Sequence, residues 1–378
     1  MLRKLSAVSM AMFCFFLCKA QSTDSTKKAA DTAVKTPPPV IITGSIDGYY
    51  RTSFNAPAGK TNNYTSFTNS QNSFELGMAS IRGDHSFGKV SATLDLGFGR
   101  RAEEFSYNDG AHPSLFAVKQ AFVSFQATSK LKFTMGKWGT HIGYEVLDAF
   151  ANRNYSMDYM FSYGPFFHTG LRADITISGT TALMIGVANP TDFSTTSSGT
   201  KVAIAQFSTG TTNGKWKFFL NYQGYGGVSQ DSMIAPGYTL YKSLNQVDLV
   251  INGSISGKFG VGFNGTIQSV NSSILGKSSS WSGAALYLLF DPCPVFGLTL
   301  RGEYFSDKDG LKINSLDYTQ SAGANVFDLT LSGNIHLGSL TVIPELRLDN
   351  SSKNMFQQSD NAYTQSTFSA LLAVVYHF

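Results

Sequence analysis

The chain has 378 residues, of which only 14% are charged while 13% are aromatic and 36 are glycine, with a mean hydropathy of −0.06. An ordinary soluble chain carries roughly 25% charge, so Ser, Thr, Asn, Gln and Gly must fill places that charges usually take. The net charge of +4 carries no nucleic-acid signature, because removing Arg3, Lys4 and Lys19 with a leader takes 29 basic residues to 26 against 25 acidic ones.

Residues 1–20 read as a cleaved signal peptide: Arg3 and Lys4, an apolar run from Ala11 through Phe13 and Phe16 to Leu17, and Cys18-Lys19-Ala20 before the cut. A lipidated Cys18 would need small residues ahead of it, where Phe15, Phe16 and Leu17 stand. After cleavage Cys293 is the one cysteine left, too few for an internal disulfide. Residues 21–40 are polar, end in Thr36-Pro37-Pro38-Pro39, and read as a flexible periplasmic linker. No later stretch approaches 18 consecutive apolar residues, so a mature membrane helix is excluded and any membrane crossing must be made by strands.

From residue 41 onward the dominant signal is alternation with period two. In 89–100, Val90, Ala92, Leu94, Leu96 and Phe98 share one face, and Ser91, Thr93, Asp95, Gly97 and Gly99 the other. The same pattern sets Val247, Leu249 and Ile251 against Gln246, Asp248 and Asn252, and Phe327, Leu329 and Leu331 against Asp328 and Thr330. Strands are expected at 41–54, 74–86, 89–100, 115–127, 131–138, 167–178, 181–188, 200–208, 215–223 and 244–255, and then at 259–270, 281–290, 298–305, 325–337, 340–349 and 365–378. Tight turns such as Phe87-Gly88-Lys89 and Ser256-Gly257-Lys258 alternate with long segments rich in Asn, Ser, Gly and Asp. The fold class is therefore all-β, a transmembrane antiparallel up-and-down barrel over 41–378 with about 16 strands, short periplasmic turns and long extracellular loops. The weaker alternative is a soluble lectin-like or jelly-roll sandwich.

The last strand alternates Phe368, Ala370, Leu372, Val374, Tyr376 and Phe378. A terminal phenylalanine resembles the signal read by the outer-membrane barrel assembly machinery, which is an expected partner alongside outer-membrane lipid. Tyr49, Tyr50, Phe54, Phe87, Phe98, Tyr222 and Tyr304 are assigned to the interfacial girdles.

Three stretches resemble a known family: Gly136-Lys137-Trp138-Gly139-Thr140-His141-Ile142-Gly143-Tyr144-Glu145, Asn152-Arg153-Asn154-Tyr155-Ser156 and Pro165-Phe166-Phe167-His168-Thr169-Gly170, preceded by Lys119-Gln120-Ala121-Phe122-Val123. They are similar to the OmpL-like β-barrel porin-2 family. The resemblance implies an outer-membrane porin of a Gram-negative bacterium and brings neither a catalytic site nor a substrate.

Between these stretches lies the longest connection, residues 139–166, whose Ile142, Val146, Leu147, Phe150, Met157, Met160 and Phe161 need apolar surroundings. It is expected to fold inward as a constriction loop; the alternative is an external cap on neighbouring loops. Candidate pore-lining residues are Lys137, His141, Tyr144, Glu145, Arg153, Asp158, Arg172 and Asp174, although alternation along the preceding strand puts Lys132, Thr134, Gly136 and Trp138 inward. Other charges assigned inward are Asp47, Arg51, Asp95, Asp248, Arg301, Glu303, Asp328, Glu345 and Arg347. Their mixed signs suit a weakly selective channel for small hydrophilic solutes. The blander reading pairs Arg301 with Glu303 and Glu345 with Arg347 to satisfy a polar interior. An enzyme such as a barrel phospholipase or protease would need His141 and His168 to meet Ser156 and Asp158, and the same histidines with Glu145 or Asp158 are the metal alternative. An adhesin or ligand-binding barrel is a third reading. No catalytic residue, cofactor, metal or nucleic-acid partner is assigned, and a homo-oligomer is left open.

Overall fold

The computed structural model describes residues 37–378 apart from 59–60, 111, 229–231, 236–237, 274–275 and 314–322. The signal-peptide reading of 1–20 and most of the 21–40 linker lie outside the described residues; Pro37 to Val40 are exposed and without regular structure.

Strands follow in chain order: β1 Ile41–Ser53, β2 Ser73–Phe87, β3 Val90–Phe98, β4 Val118–Thr128, β5 Leu131–Gly139, β6 Phe167–Ser178, β7 Thr181–Ala188, β8 Val202–Gly210 and β9 Trp216–Tyr225. A small hairpin, β10 Ser232–Ala235 and β11 Tyr238–Leu240, precedes β12 Ser243–Ser254, β13 Phe259–Ser272, β14 Lys277–Cys293, β15 Phe296–Asp307, β16 Ala324–Leu337 and β17 Leu340–Ser351. A second small hairpin, β18 Phe356–Gln357 and β19 Tyr363–Thr364, leads to β20 Ser366–His377. Leaving the two hairpins aside, sixteen strands pair antiparallel, each with its neighbour, and β20 closes onto β1. The closing register runs from Ser45 opposite His377 to Ser53 opposite Ser369, and the backbones of Gly44 and Phe378 exchange both hydrogen bonds. No helix among the described residues is long and apolar enough to cross a membrane; the strands do the crossing.

The alternation becomes two faces. Leu94, Leu249, Leu329, Leu331, Leu372 and Val374 are exposed on the outside, while Thr93, Asp95, Asp248, Asp328 and Thr330 are buried inside. An apolar skin around a polar interior inverts a soluble core and matches a hydrocarbon surrounding. Paired rings stud this skin near strand ends, including Phe54 on Phe368 at 5.2 Å and Phe259 on Phe290 at 4.6 Å. Tyr49 departs from its assigned girdle position. It shares parity with Asp47 and Arg51, is buried inside, and packs 5.4 Å from Tyr155.

Both termini of the barrel and the short turns share one rim. The opposite rim carries the long connections, with one exception, the four residues 273–276 that join β13 to β14. β14 starts at Lys277, earlier than alternation suggested, because Ser278, Ser279 and Ser280 pair with Asn271, Val270 and Ser269 without any apolar signal.

Candidate functional site

Residues 140–166 leave β5 and run inside the barrel, so that backbone groups of the connection meet side chains on the inner wall across the lumen. The physical driver is an excess of buried acid. Glu145, Asp158, Glu303, Asp328, Glu345 and Asp349 face only Arg301 and Arg347 within this cluster, and all are buried. A buried carboxylate needs hydrogen-bond donors, and the connection supplies its own N–H groups. Tyr155 and Ser156 donate to Glu345 at 2.8 and 3.2 Å. Tyr159 and Met160 donate to Glu303 at 2.7 and 2.9 Å. Asp158 N–H donates to Glu145 at 2.8 Å, and Phe161 N–H to Asp158, which caps the short helix α1 Tyr159–Tyr163.

The two guanidiniums bind the same segment through its carbonyls. Arg301 reaches Glu145 and the Ser156 carbonyl, each at 2.7 Å, and Asp328 at 2.8 Å. Arg347 reaches the Met157 carbonyl at 2.7 Å, and Asp328 and Asp349 at 2.8 Å. The expected lateral pairs Arg301 with Glu303 and Glu345 with Arg347 are therefore replaced. Glu303 and Glu345 are taken by the N–H groups of the inward segment, Arg301 turns to Glu145 and Asp328, and Arg347 keeps a partner two residues along its own strand, but it is Asp349. From the other side, Arg101 lies between the Phe67 and Tyr155 rings, 5.0 and 4.9 Å from their centroids, and donates to the Leu147 carbonyl at 3.0 Å.

Close approach of the segment to the wall needs glycine. A Cβ on Gly262 would strike the Tyr144 ring, which stacks on Tyr287 at 4.1 Å, and a Cβ on Gly283 would strike Met160. Ile142, Leu147, Met157, Met160 and Phe161 are buried; Val146 and Phe150 instead stay exposed to internal cavities.

The candidate pore residues thus separate. Glu145 and Asp158 belong to the acidic anchor, and burial, with Asp158 beside it, lifts the Glu145 carboxyl to about 8. Tyr144 lies against the wall, its N–H donating to Asn264. Arg153 ion-pairs with Asp291 and donates to Thr299 at 3.1 Å, toward the short-turn rim. Burial depresses the His141 imidazole to about 4, and its ring meets the Tyr222 carbonyl at 3.2 Å. Lys137 bonds Asp109 at 3.3 Å with its ammonium 3.8 Å over the Phe167 ring. Gly136, at φ 136°, interrupts the alternation there, so that Lys137 and Trp138 are both buried. Arg172 covers the Trp138 ring at 5.0 Å and, with Lys132, approaches Asp174 at 3.5 Å. His141 and His168 pack at 5.0 Å, but Ser156 and Asp158 are taken by the anchor groups on the other side of the segment.

Open space lies beside the segment, bordered by strand residues of β9, β12 and β13 at the upper level and of β1–β5 and β20 below. An upper cavity of 820 Å³ sits among the long connections, lined by Arg100, Glu104, Tyr107, Tyr163, Phe166 and Asp192 among others. A middle cavity of 300 Å³ includes Phe105, Lys119, Val146, Asp148 and again Phe166. A lower cavity of 380 Å³ reaches Gly44, Arg82, Asp84, His377 and Phe378 near the short-turn rim, and shares Lys119 and Asp148 with the middle one. At the lower junction the Lys119 ammonium lies 2.6 Å from Asp148 and 3.1 Å from Asp95. At the upper junction Asp192 accepts the Phe166 and Phe167 N–H groups at 2.7 and 3.0 Å.

Lys119, Asp148 and Asp192 were not singled out as pore-lining from sequence. Lys119 shares parity with outward Val123 and Phe125, and only a bulge turns it inward: Asp95 pairs with Gln120 and Leu96 with Val118, leaving Lys119 as the extra residue. Its motif, Lys119-Gln120-Ala121-Phe122-Val123, was the available signal.

A closed sixteen-strand barrel with an apolar skin, a polar lumen and a connection folded inside is an outer-membrane β-barrel of the porin class. The chain belongs to the beta-barrel porin-2, OmpL-like family, whose model matches residues 39–378. Solved structures of similar fold include an anion-selective porin from Comamonas acidovorans (TM-score 0.60, 12% identity, covering 90% of this chain and 99% of that one). Others are the outer membrane channel DcaP of Acinetobacter baumannii (0.58, 12%, 90% and 97%) and a loop L8 deletion mutant of OmpT, an outer membrane protein of Vibrio cholerae (0.57, 12%, 90% and 99%). At such identities the likeness is one of fold. No curated protein matches the chain.

Proposed function

We propose that the protein is a passive porin for small hydrophilic solutes, weakly selective, in which residues 139–166 set the narrowest section of the path. The observation that carries this reading is the run of three cavities linked through Phe166 and then through Lys119 and Asp148. Charges of both signs border it, Arg82, Arg100, Lys119 and Lys312 against Asp84, Asp95, Glu104, Glu145, Asp148 and Asp192, so acid is in slight excess. Such a lining favours a mild preference for cations over strict selection. The separation of His141 and His168 from Ser156 and Asp158 supports a channel over a hydrolase.

The test is single-channel conductance of the refolded mature barrel in planar bilayers. Stepwise channels with weak cation preference are expected. Asp148→Lys should shift the reversal potential toward anions, and deleting 146–160 should raise conductance. A silent bilayer accompanied by phospholipid hydrolysis would replace this reading with the enzymatic one; channels indifferent to both changes would remove the segment from the path.

A further inference from the structure

The two rims of the barrel differ in charge. On the long-connection rim the signs are mixed and paired, with Lys277 at 2.8 Å from Asp309 and Arg100 at 3.2 Å from Glu75. The short-turn rim is basic over one arc from β2 to β13. Lys89 stands in the β2–β3 turn, Lys130 in the β4–β5 turn, Lys215 in the β8–β9 turn with Lys217 just inside β9, and Lys258 in the β12–β13 turn. The β6–β7 turn between them, Gly179-Thr180, is uncharged. All five lysines are exposed. The carboxylates nearest this rim are engaged elsewhere, Asp84 with Arg82, Asp174 with Lys132 and Arg172, and Asp291 with Arg153. Among the described residues only Lys89 finds an acceptor for its ammonium, the Ala127 carbonyl at 3.4 Å.

Their height relative to the membrane is set by the neighbouring rings. Lys89 follows the exposed Phe87, Lys258 precedes the exposed Phe259, and Lys130 is three residues from the exposed Phe133. Lys215 and Lys217 flank Trp216, which stacks on the outward Phe218 at 6.4 Å and covers Gly253, where a Cβ would strike its ring. Outward rings near strand ends mark the edge of the hydrocarbon. A strand rises about 3.3 Å per residue, less when tilted, so the ammonium groups fall within a headgroup layer about 5–7 Å deep on each side. A periplasmic partner would have to enter that layer to reach them, whereas lipid phosphates already stand in it.

Lysine stems reach along apolar surface and present the charge at this level. A zwitterionic headgroup brings an ammonium of its own and adds to the crowding of like charge; a headgroup of net negative charge relieves it. We propose that this arc is a binding surface for net-anionic phospholipids, of the phosphatidylglycerol or cardiolipin kind, in the periplasmic leaflet. The lipids neutralise the five lysines and hold the β2–β13 side of the barrel at a fixed depth.

Trp216 provides a local readout, because the other two tryptophans, Trp138 and Trp281, are buried inside the barrel at 1% exposure. The full mature barrel is folded into phosphatidylcholine vesicles that contain equal mole fractions of either bromine-tailed phosphatidylglycerol or bromine-tailed phosphatidylcholine, and quenching of Trp216 fluorescence is compared. The phosphatidylglycerol should quench as though enriched about fivefold at the rim, the preference that one lysine gives near an anionic headgroup. Lys215→Gln, Lys217→Gln and Lys258→Gln in one chain should bring quenching down to the phosphatidylcholine level, and so should salt at about 1 M in the parent. Lys201→Gln with Lys308→Gln, exposed on the long-connection rim, should leave the preference intact. Folding of each variant is checked by heat-modifiable gel migration. Equal quenching by the two lipids in the parent, or a preference that survives the triple substitution or high salt, would overturn the surface. Retention of soluble polyglutamate by the detergent-folded parent, without any lipid preference in vesicles, would also overturn it and assign the arc to an acidic periplasmic partner.

Discussion

Removing the two carboxylates that hold the inward segment, with Glu303→Ala and Glu345→Ala in one chain, should release it. Each carboxylate accepts two loop N–H groups, at 2.7 and 2.9 Å and at 2.8 and 3.2 Å. Hydrogen bonds to a charged acceptor contribute about 1.5–3 kcal/mol apiece, so the four amount to about 6–12 kcal/mol gross. Against this stands relief of acidic crowding, since Asp328 and Asp349 remain with Arg301 and Arg347 once two neighbouring acids are gone. Recovered desolvation of buried charge is worth several kcal/mol, which leaves a net loss of about 3–6 kcal/mol for the docked pose. Trypsin provides the assay, because Arg153 is the one Lys or Arg between 140 and 166 and is pinned by Asp291 and Thr299. The parent should resist cleavage after Arg153, while the double variant should be cut there and show higher, noisier single-channel conductance. Glu303→Gln with Glu345→Gln keeps acceptor oxygens and should fall between. Parent-like resistance and conductance in the double alanine variant would refute the anchoring argument.

Leu94→Lys, on the lipid face, should cost about 2–4 kcal/mol in a urea unfolding titration of the vesicle-folded barrel. Thr93→Lys, which projects inward beside Asp84 and Asp95, should cost less than half of that, and equal costs would contradict the two-faced wall. Thr330→Lys will not be mild, because it removes a hydroxyl that accepts from Arg301 at 3.1 Å and donates to Asp328 at 2.6 Å, and forces a longer side chain into a fully buried position. Burial lifts the Asp192 carboxyl to about 6. The folded state then holds this proton more tightly than the unfolded one, so its contribution is complete below the ordinary carboxylate value and is lost as pH rises through about 6. The loss is about 2–4 kcal/mol; Asp192→Asn should flatten unfolding free energy between pH 4 and 6.5, and an unchanged slope counts against the assignment. Edman sequencing of outer-membrane fractions should start at Gln21, and an intact Met1 would exclude cleavage.

The wall was legible because a lipid-facing strand must place an apolar group at every second residue, as Val90 to Phe98 do. The inward connection was legible for a related reason, since residues such as Met157, Met160 and Phe161 have no home in water. What defeated sequence reasoning was local backbone irregularity and distant pairing. The bulge at Lys119 and the turn of backbone at Gly136 each move a lysine off the face that alternation assigns. The partners of Glu303 and Glu345 sit more than 140 residues away, at Tyr159 and Tyr155, and no local spacing encodes them. Glu145 and Asp158 were picked as pore residues on their setting between family-like stretches, but their side chains turn to Arg301 and Tyr287 and leave Asp148 beside the open space.

Those distant pairings also constrain the order in which the protein can be built. Residues 140–166 emerge early in the chain, but the groups that hold them belong to β15, on the far side of the barrel from β5, to β16 and β17, and to Asp47 on β1. A sheet growing strand by strand therefore carries a segment with no seat until its final third is present. Because contacts of such sequence separation form slowly, seam formation between β1 and β20 and seating of the segment become one late, joint event. A nascent barrel that zips shut with the segment outside would be trapped, since the finished wall leaves it no lateral way in.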